Sequence, residues 1–376
     1  MKILFAIKAL DHATGGAERV LCDVASGLAK KGYDVSVLDF DRPGGTSFYP
    51  LHEKVRRRSL GIGDVTQKSK LFEIVTRIRA IRKDVLQTKP DICIAFMHST
   101  FILTAFALIG TNVPVIASEH IVPEHYKDRI WEYRLLMLSC FFVQKITVLS
   151  EAIKKSYPRF LQRKMIAISN PVCPAKVLAE TSGTGVDRKI ILNVGRLTPQ
   201  KNQKMLIEAF ADFSKDYPDW DVHIVGEGEL RQDLEETIRK NNLEDRILLP
   251  GAVSEIEQEY QKAHIFALPS TYESFGLATA EAMAHGLPTI GLQRCPGTNE
   301  LIIHEQNGFL VAEDNEFENL KTGLKKLMES ATLRKDLGTQ GLETVKKFAP
   351  ENILKQWETI ILSFEPSGRK NATPSE

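Results

Sequence analysis

Short apolar runs recur along the first half of the chain at 2–7, 34–40, 91–97, 114–118, 145–149 and 165–169. They are rich in Val and Ile, lack polar alternation and are bounded by turn residues, as expected of strands buried on both faces of a parallel sheet. Stretches with the period of a helix separate most of them, as at 17–31 and 71–86. The rhythm restarts at 189–194, 222–225, 246–249, 265–268 and 289–292, interleaved with helical stretches at 203–215, 230–241 and 277–285. The pattern predicts an α/β fold of two doubly wound parallel-sheet domains, 1–170 and 189–348. The segment 171–188 has no period, carries Pro171, Pro174 and a Ser-Gly-Thr-Gly run, and is predicted to be the linker. A last helix is predicted at 349–364, beside Pro350 and containing Trp357, followed by a polar tail, 365–376, expected to be disordered. Open parallel sheets bind ligands beyond the carboxyl ends of their strands, so a ligand cleft between the domains is expected.

At about 100–200 residues per domain, a chain of 376 residues accommodates the two domains. The five cysteines are far apart with no C-x-x-C spacing, so neither a zinc cage nor a redox pair is read from them. The apolar stretch 101–117 is interrupted by Asn112 and Pro114, which suits a buried helix and strand rather than a membrane span. The start of the chain runs into a strand without a secretory pattern, and a cytoplasmic protein with reduced thiols is expected. The net charge of +1 conceals an imbalance, because residues 1–180 hold 27 basic against 17 acidic residues and residues 181–376 hold 22 against 31. The first half is therefore expected to meet an anionic partner. Its basic clusters are Arg56-Arg57-Arg58; Lys68 and Lys70; Arg77, Arg79, Arg82 and Lys83; and Arg159, Arg163 and Lys164. Each reads first as a solvated face and second as part of a patch for acidic lipid headgroups. Nucleic acid is disfavoured, since no basic stripe is interleaved with aromatic residues.

Four motifs carry candidate chemistry. Thr14-Gly15-Gly16-Ala17-Glu18-Arg19 follows the first strand and opens a helix, where free amides and the helix dipole favour an anion. A plain turn explains two glycines equally well, and the motif is not the G-x-G-x-x-G of dinucleotide enzymes. Gly195-Arg196-Leu197 with Lys201-Asn202 sets a guanidinium and an ammonium at the mouth of the second sheet, suited to a diphosphate or to simple solvation. Gly226-Glu227-Gly228 is a third glycine turn of the same kind, which gains meaning only in series with the others. The sharpest is Glu273-Ser274-Phe275-Gly276-Leu277-Ala278-Thr279-Ala280-Glu281, in which one carboxylate precedes a helix and the other lies inside it. Acids beside an anion site suit a polyol, and a sugar nucleotide offers both groups. The alternative is that Glu273 caps the helix and Glu281 pairs with a basic neighbour.

In order and spacing these motifs resemble glycosyltransferase family 4, retaining enzymes of the GT-B fold with two Rossmann-like domains, over roughly residues 1–345. The resemblance implies that Arg196 and Lys201 hold the donor diphosphate, with Gly15, Gly16 and Gly226 lending close backbone. It implies that Glu281 binds the nucleotide ribose, that Glu273 binds hydroxyls of the transferred sugar, and that amides of Phe275, Gly276 and Leu277 complete these contacts. Ser118-Glu119-His120 resembles the family's active-site histidine segment, which would set His120 near the anomeric carbon. The final helix would cross back onto the first domain. The stretch Cys295-Pro296-Gly297-Thr298-Asn299-Glu300 departs from the simpler Gly-Gly of many relatives and bears on which sugar is bound.

The resemblance further implies same-face attack through an oxocarbenium-like state, with charge on the leaving phosphate met by Arg196, Lys201 and helix N-termini. A nucleotide sugar, with uridine expected as the base, is then the co-substrate, and neither a metal nor another cofactor is expected. The expected reaction moves a hexose or N-acetylhexosamine to a glycan acceptor carried on a polyprenyl diphosphate, in bacterial glycan or polysaccharide synthesis. Residues 129–144, with Trp131, Tyr133, Leu135, Leu136, Phe141 and Phe142, suit such an acceptor at a membrane face or, alternatively, a place in the core. A non-hydrolysing UDP-sugar epimerase and a non-catalytic binder of nucleotide sugars or phospholipids are the rival readings.

Overall fold

In the computed structural model, which describes residues 1–11, 15–67 and 70–365, two compact units account for the chain. One comprises Met1–Pro171 together with the stretch from Pro350, the other Val172–Ala349. Thr14, Lys68 and the tail beyond residue 365 lie outside the described residues.

The first unit is built on β1 (Lys2–Ala6), β2 (Asp34–Asp39), β3 (Arg56–Ser59), β4 (Ile92–Phe96), β5 (Val115–Ser118), β6 (Lys145–Val148) and β7 (Met165–Ala167). The strands run parallel in the order β3-β2-β1-β4-β5-β6-β7. Strand order reverses between β1 and β4, so the turn at Gly15-Gly16, which follows β1, sits at the switch point where open sheets bind ligands.

Strand β3 was not expected, because Arg56-Arg57-Arg58 carries no apolar pattern. Ion pairs replace hydrophobic pairing at this edge: Arg56 with Asp34, Arg57 with Asp11, Asp39 and Asp41, and Arg58 with Asp84. Asp39 and Asp41 are buried, so the Arg57 guanidinium offsets carboxylates that would otherwise be costly inside the fold. Arg57 is thus spent on folding, whereas the Arg56 side chain stays largely exposed. Arg77 is likewise buried, donating to the Ile62 carbonyl at 2.8 Å and lying over the Phe40 ring.

The helix Pro350–Leu362 packs in the first unit, with the Trp357 ring stacked 5.8 Å from Phe96 and Glu358 accepting from Tyr33 at 2.9 Å and Lys31 at 2.6 Å.

The second unit contains β8 (Lys189–Val194), β9 (Trp220–Val225), β10 (Ile247–Gly251), β11 (Ile265–Leu268), β12 (Thr289–Leu292) and β13 (Gly308–Val311). They are parallel in the order β10-β9-β8-β11-β12-β13. β13, a four-residue run, was also missed in the sequence and pairs Gly308 with Thr289. Successive residues feed opposite cores: Ile191, Ile265 and Ala267 join one, Leu192, Phe266 and Leu268 the other. That division is the physical meaning of strands without polar alternation.

The segment 172–188 is part of the second unit rather than a free linker. Buried Arg334 donates to the carbonyls of Thr181 at 2.6 Å and Ser182 at 2.8 Å, and the Ala179 amide donates to the His285 carbonyl at 2.9 Å.

Candidate active site

The second unit's site is assembled from loops at the carboxyl ends of β8, β9 and β11. After β8 the chain turns at Gly195-Arg196-Leu197, runs through a short 3-10 turn, Pro199–Lys201, and enters the helix Gln203–Phe213. After β9, Gly226-Glu227-Gly228 lies directly on this turn. The Gly195 amide donates to the Val225 carbonyl and the Leu197 amide to the Glu227 carbonyl, both at 3.0 Å. Gly226 has φ of +147°, and a Cβ there would meet the Gly195 carbonyl oxygen at 2.0 Å. The Gly226 amide itself donates to the Gly251 carbonyl at 2.9 Å. Its part is thus to let two loops touch.

Lys201 reaches across to the loop after β11, and its Nζ lies 2.5 Å from Glu273 Oε1, with both side chains largely buried. Gly195 leaves room for the Lys201 stem, whose carbons would lie 3.2 Å from any Cβ there. Gln200 ties the same loops, donating to the Tyr272 carbonyl at 2.7 Å and accepting from the Thr271 amide at 2.8 Å. The Cys295–Glu300 stretch backs this loop, because the Pro296 carbonyl accepts the Glu273 amide at 3.1 Å. Arg196, by contrast, is exposed, and among the described residues its guanidinium has no hydrogen-bond or ion-pair partner.

The helix Leu277–Ala284 begins at Gly276, which has φ of +78°. Its first amide to donate within the helix is that of Ala280, to the Gly276 carbonyl at 3.0 Å, so those of Leu277, Ala278 and Thr279 precede the ladder. Phe275 faces the core, edge-on to Phe348. Glu281 stays partly exposed and accepts from Tyr260 Oη at 3.0 Å, and the Tyr260 ring stacks on His285 at 4.9 Å. Buried Thr198 Oγ1, Ser270 Oγ and Thr279 Oγ1, on these same loops and helix, have no partner among the described residues.

In the first unit, Gly15 caps the helix Gly16–Lys30 with extended backbone, leaving the early amides of that helix outside the intrahelical ladder. His120 follows β5 and is buried, stacked 4.9 Å from the Phe96 ring, and its Nε2 shares a hydrogen bond of 3.0 Å with Ser118 Oγ. Thr147 Oγ1 donates to that same Ser118 oxygen at 2.9 Å. Burial lowers the His120 pKa to about 3, so the imidazole is neutral near pH 7. Beside it, buried Glu119 accepts from Tyr126 Oη and the Ile121 amide at 3.0 Å each. Burial outweighs those two bonds and raises its pKa to about 8.

Comparison with known proteins bears on this arrangement. The family model described as Glycosyltransferase Family 4 matches residues 14–176, and that described as Glycosyl transferases group 1 matches 177–344. An uncharacterised glycosyltransferase of Haemophilus influenzae is 30% identical over 368 residues, covering 96% of this chain and 99% of that protein. The chain belongs to glycosyltransferase family 4.

This glycosyltransferase is also 30% identical, over 96% of its own length and 98% of the relative's, to a Campylobacter jejuni enzyme. That enzyme is named as an alpha-1,4-N-acetyl-D-galactosaminyltransferase acting on a diNAcBac-PP-undecaprenol glycan. In fold it matches a sucrose-phosphate synthase of Thermosynechococcus elongatus with a TM-score of 0.83 at 20% identity, covering 96% and 99% of the two chains. GT-B is accordingly its fold class.

Within the glycosyltransferase, sequence reasoning missed Gln200, Tyr260 and the buried acidity of Glu119. Tyr260 reads as an ordinary core aromatic, and only the fold sets its hydroxyl beside Glu281. The helix Ile130–Ser139 also departs from a core reading: Leu136 and Ser139 are buried, while Trp131 is 74% and Ile130 60% exposed.

Proposed function

We propose that the glycosyltransferase moves a hexose or N-acetylhexosamine, with retention, from a nucleoside diphosphate sugar to a glycan carried on a polyprenyl diphosphate. The observation that carries the donor half is the 2.5 Å contact of Lys201 with Glu273, which joins the cationic loop after β8 to the acidic loop after β11. A diphosphate drawn to Arg196 competes for the Lys201 ammonium and releases one side of Glu273 to accept from sugar hydroxyls. Tyr260 orients Glu281 for a ribose diol. Charge developing on the leaving phosphate is met by Arg196, Lys201 and the early amides of the helix Leu277–Ala284.

Support for the acceptor half comes from the activity for which the Campylobacter jejuni relative is named and from the first unit's surface. There, exposed Ile130, Trp131, Leu135, Leu138 and Phe141 stand near exposed Arg129, Arg134 and Arg159 in a mixed apolar and basic face suited to a lipid carrier. No helix among the described residues is long and apolar enough to cross a membrane, so this reading has the enzyme meet its lipid from one side.

The test is a screen of nucleotide sugars for thermal stabilisation and then for transfer to a synthetic polyprenyl-diphosphate glycan, with the product anomer assigned by NMR. Uridine donors should stabilise the protein, and the new linkage should keep the donor's configuration. An inverted product or indifference to every nucleotide would refute the proposal.

A further inference from the structure

We propose that His98, His125 and Glu132 in the first unit form a site for a divalent transition ion of the zinc class, with an open coordination position facing solvent. His98 is distant in the sequence from His125 and Glu132, and the three show no metal-binding spacing. The fold gathers them: His98 is the first residue of the helix His98–Ala107 after β4, His125 lies in the 3-10 turn Pro123–Tyr126 after β5, and Glu132 lies in the first turn of Ile130–Ser139. One ligand atom from each lies within 4.8 Å of the others, and all three residues are partly buried. Two imidazoles and a carboxylate are the donor set of open zinc sites, which keep a further position for water or a substrate oxygen.

A second observation concerns His98 alone. Among the described residues its Nδ1 is buried without a partner, and its Nε2 has no hydrogen bond either, only the Glu132 carboxylate at 3.8 Å. A half-buried imidazole without hydrogen bonds is uncommon, and an ion at Nε2 would satisfy that nitrogen. The geometry is near what an ion needs. Ligand bonds of about 2.0–2.2 Å in a tetrahedral site set ligand atoms roughly 3.3 Å apart, so the 3.8 Å between His98 and Glu132 closes by small side-chain rotations.

Two cations adjoin the cluster. Arg129 Nη1 lies 3.4 Å from Glu132 Oε2 and is nearly half exposed, so it turns to solvent when the ion enters, and Lys8 acts on His98 from farther away. The Tyr126 ring stands edge-on to both His98 and His125, at 5.4 and 5.3 Å, and holds the two imidazoles in place. The site belongs to the first unit, beyond the carboxyl ends of β4 and β5, the strand that His120 also follows, whereas the cations assigned to the donor diphosphate belong to the second.

The experiment is calorimetric titration of the EDTA-stripped full-length protein with zinc, paralleled by cobalt absorption spectroscopy. Wild type should take up a single saturable ion and give the visible bands of four-coordinate cobalt. His125→Ala and Glu132→Gln, both at partly exposed positions, should each weaken zinc by at least tenfold while circular dichroism stays unchanged. Cys173→Ser, which removes an exposed thiol outside the cluster, should bind as wild type does. Absence of saturable binding, or affinities in the His125 and Glu132 variants equal to wild type, would overturn the proposal.

Discussion

Arg196 and Lys201 share a charge and a loop, yet their surroundings differ enough to separate their roles. Arg196 is exposed and unpaired among the described residues, so Arg196→Ala should lower turnover about a hundredfold, as for a lost preorganised donor, while stability changes by less than about 0.5 kcal/mol. Lys201→Ala strands the largely buried Glu273 carboxylate, so it should lower turnover similarly and also cost about 3–5 kcal/mol in urea unfolding. Equal stability losses in the two variants would contradict this account.

The pair Glu119 and His120 gives a second prediction at the same scale. His120 is harder to protonate in the fold, with a pKa near 3 against an ordinary 6.5, so the unfolded chain binds the extra proton and stability falls as pH drops below about 6.5. Glu119 is raised from 4.5 to about 8, so the folded state holds the extra proton and stability falls as pH rises from about 4.5 to 8. The two effects oppose one another between about 4.5 and 6.5, and only the Glu119 effect acts from there to 8. Because His120 is common to both proteins, urea midpoints of Glu119→Gln against wild type should run parallel below about pH 4.5 and change relative to one another from there to about pH 8, the variant losing no stability as pH rises above about 6.5.

Among the elements, the turn after β9 shows how a glycine motif acts through the packing of one loop on another. Gly226 and Gly228 meet the turn after β8 backbone to backbone, with any Cβ at 2.0 Å from the Gly195 carbonyl oxygen or 2.3 Å from that of Leu197. Gly226→Ala should cost about 1–3 kcal/mol and move Arg196 and Lys201 together, so nucleotide-induced thermal stabilisation should vanish even where the protein still folds. The edge strand β3 makes the complementary point. An all-polar run becomes a strand because β2 presents Asp34 and Asp39 and the following turn presents Asp41, all within reach of Arg56 and Arg57. Nothing in the periodicity of 56–59 announces this, since the stabilising partners come from other segments.

For the molecule as a whole, the chain closes its first unit with its last helix. Trp357 is fully buried and stacks on Phe96, whose ring also stacks on His120. Trp357→Ala should destabilise the first unit by about 3–5 kcal/mol and leave the second unit's unfolding in place, read as a split of one calorimetric transition into two. The exposed face of Ile130–Ser139 belongs to the same scale. With a lipid-borne acceptor, Trp131→Glu should reduce binding to vesicles containing anionic lipid and raise KM for the lipid-linked acceptor without changing hydrolysis of the donor.

The alternation of strands and helices, the doubling of the sheet and the place of each glycine turn were legible in the sequence. Burial on both faces of a sheet imposes a local composition, and a turn between strand and helix imposes glycine where backbones meet. Pairings between distant residues were not legible. Lys201 meets Glu273 across 72 positions, and Arg57 gathers carboxylates from three places along the chain. Exposure of the Trp131 helix was equally undecided, since its apolar side chains suit a core or a lipid surface alike. Side-chain chemistry is written residue by residue, but which charge neutralises which depends on strand order, and strand order exists only once the sheet has formed.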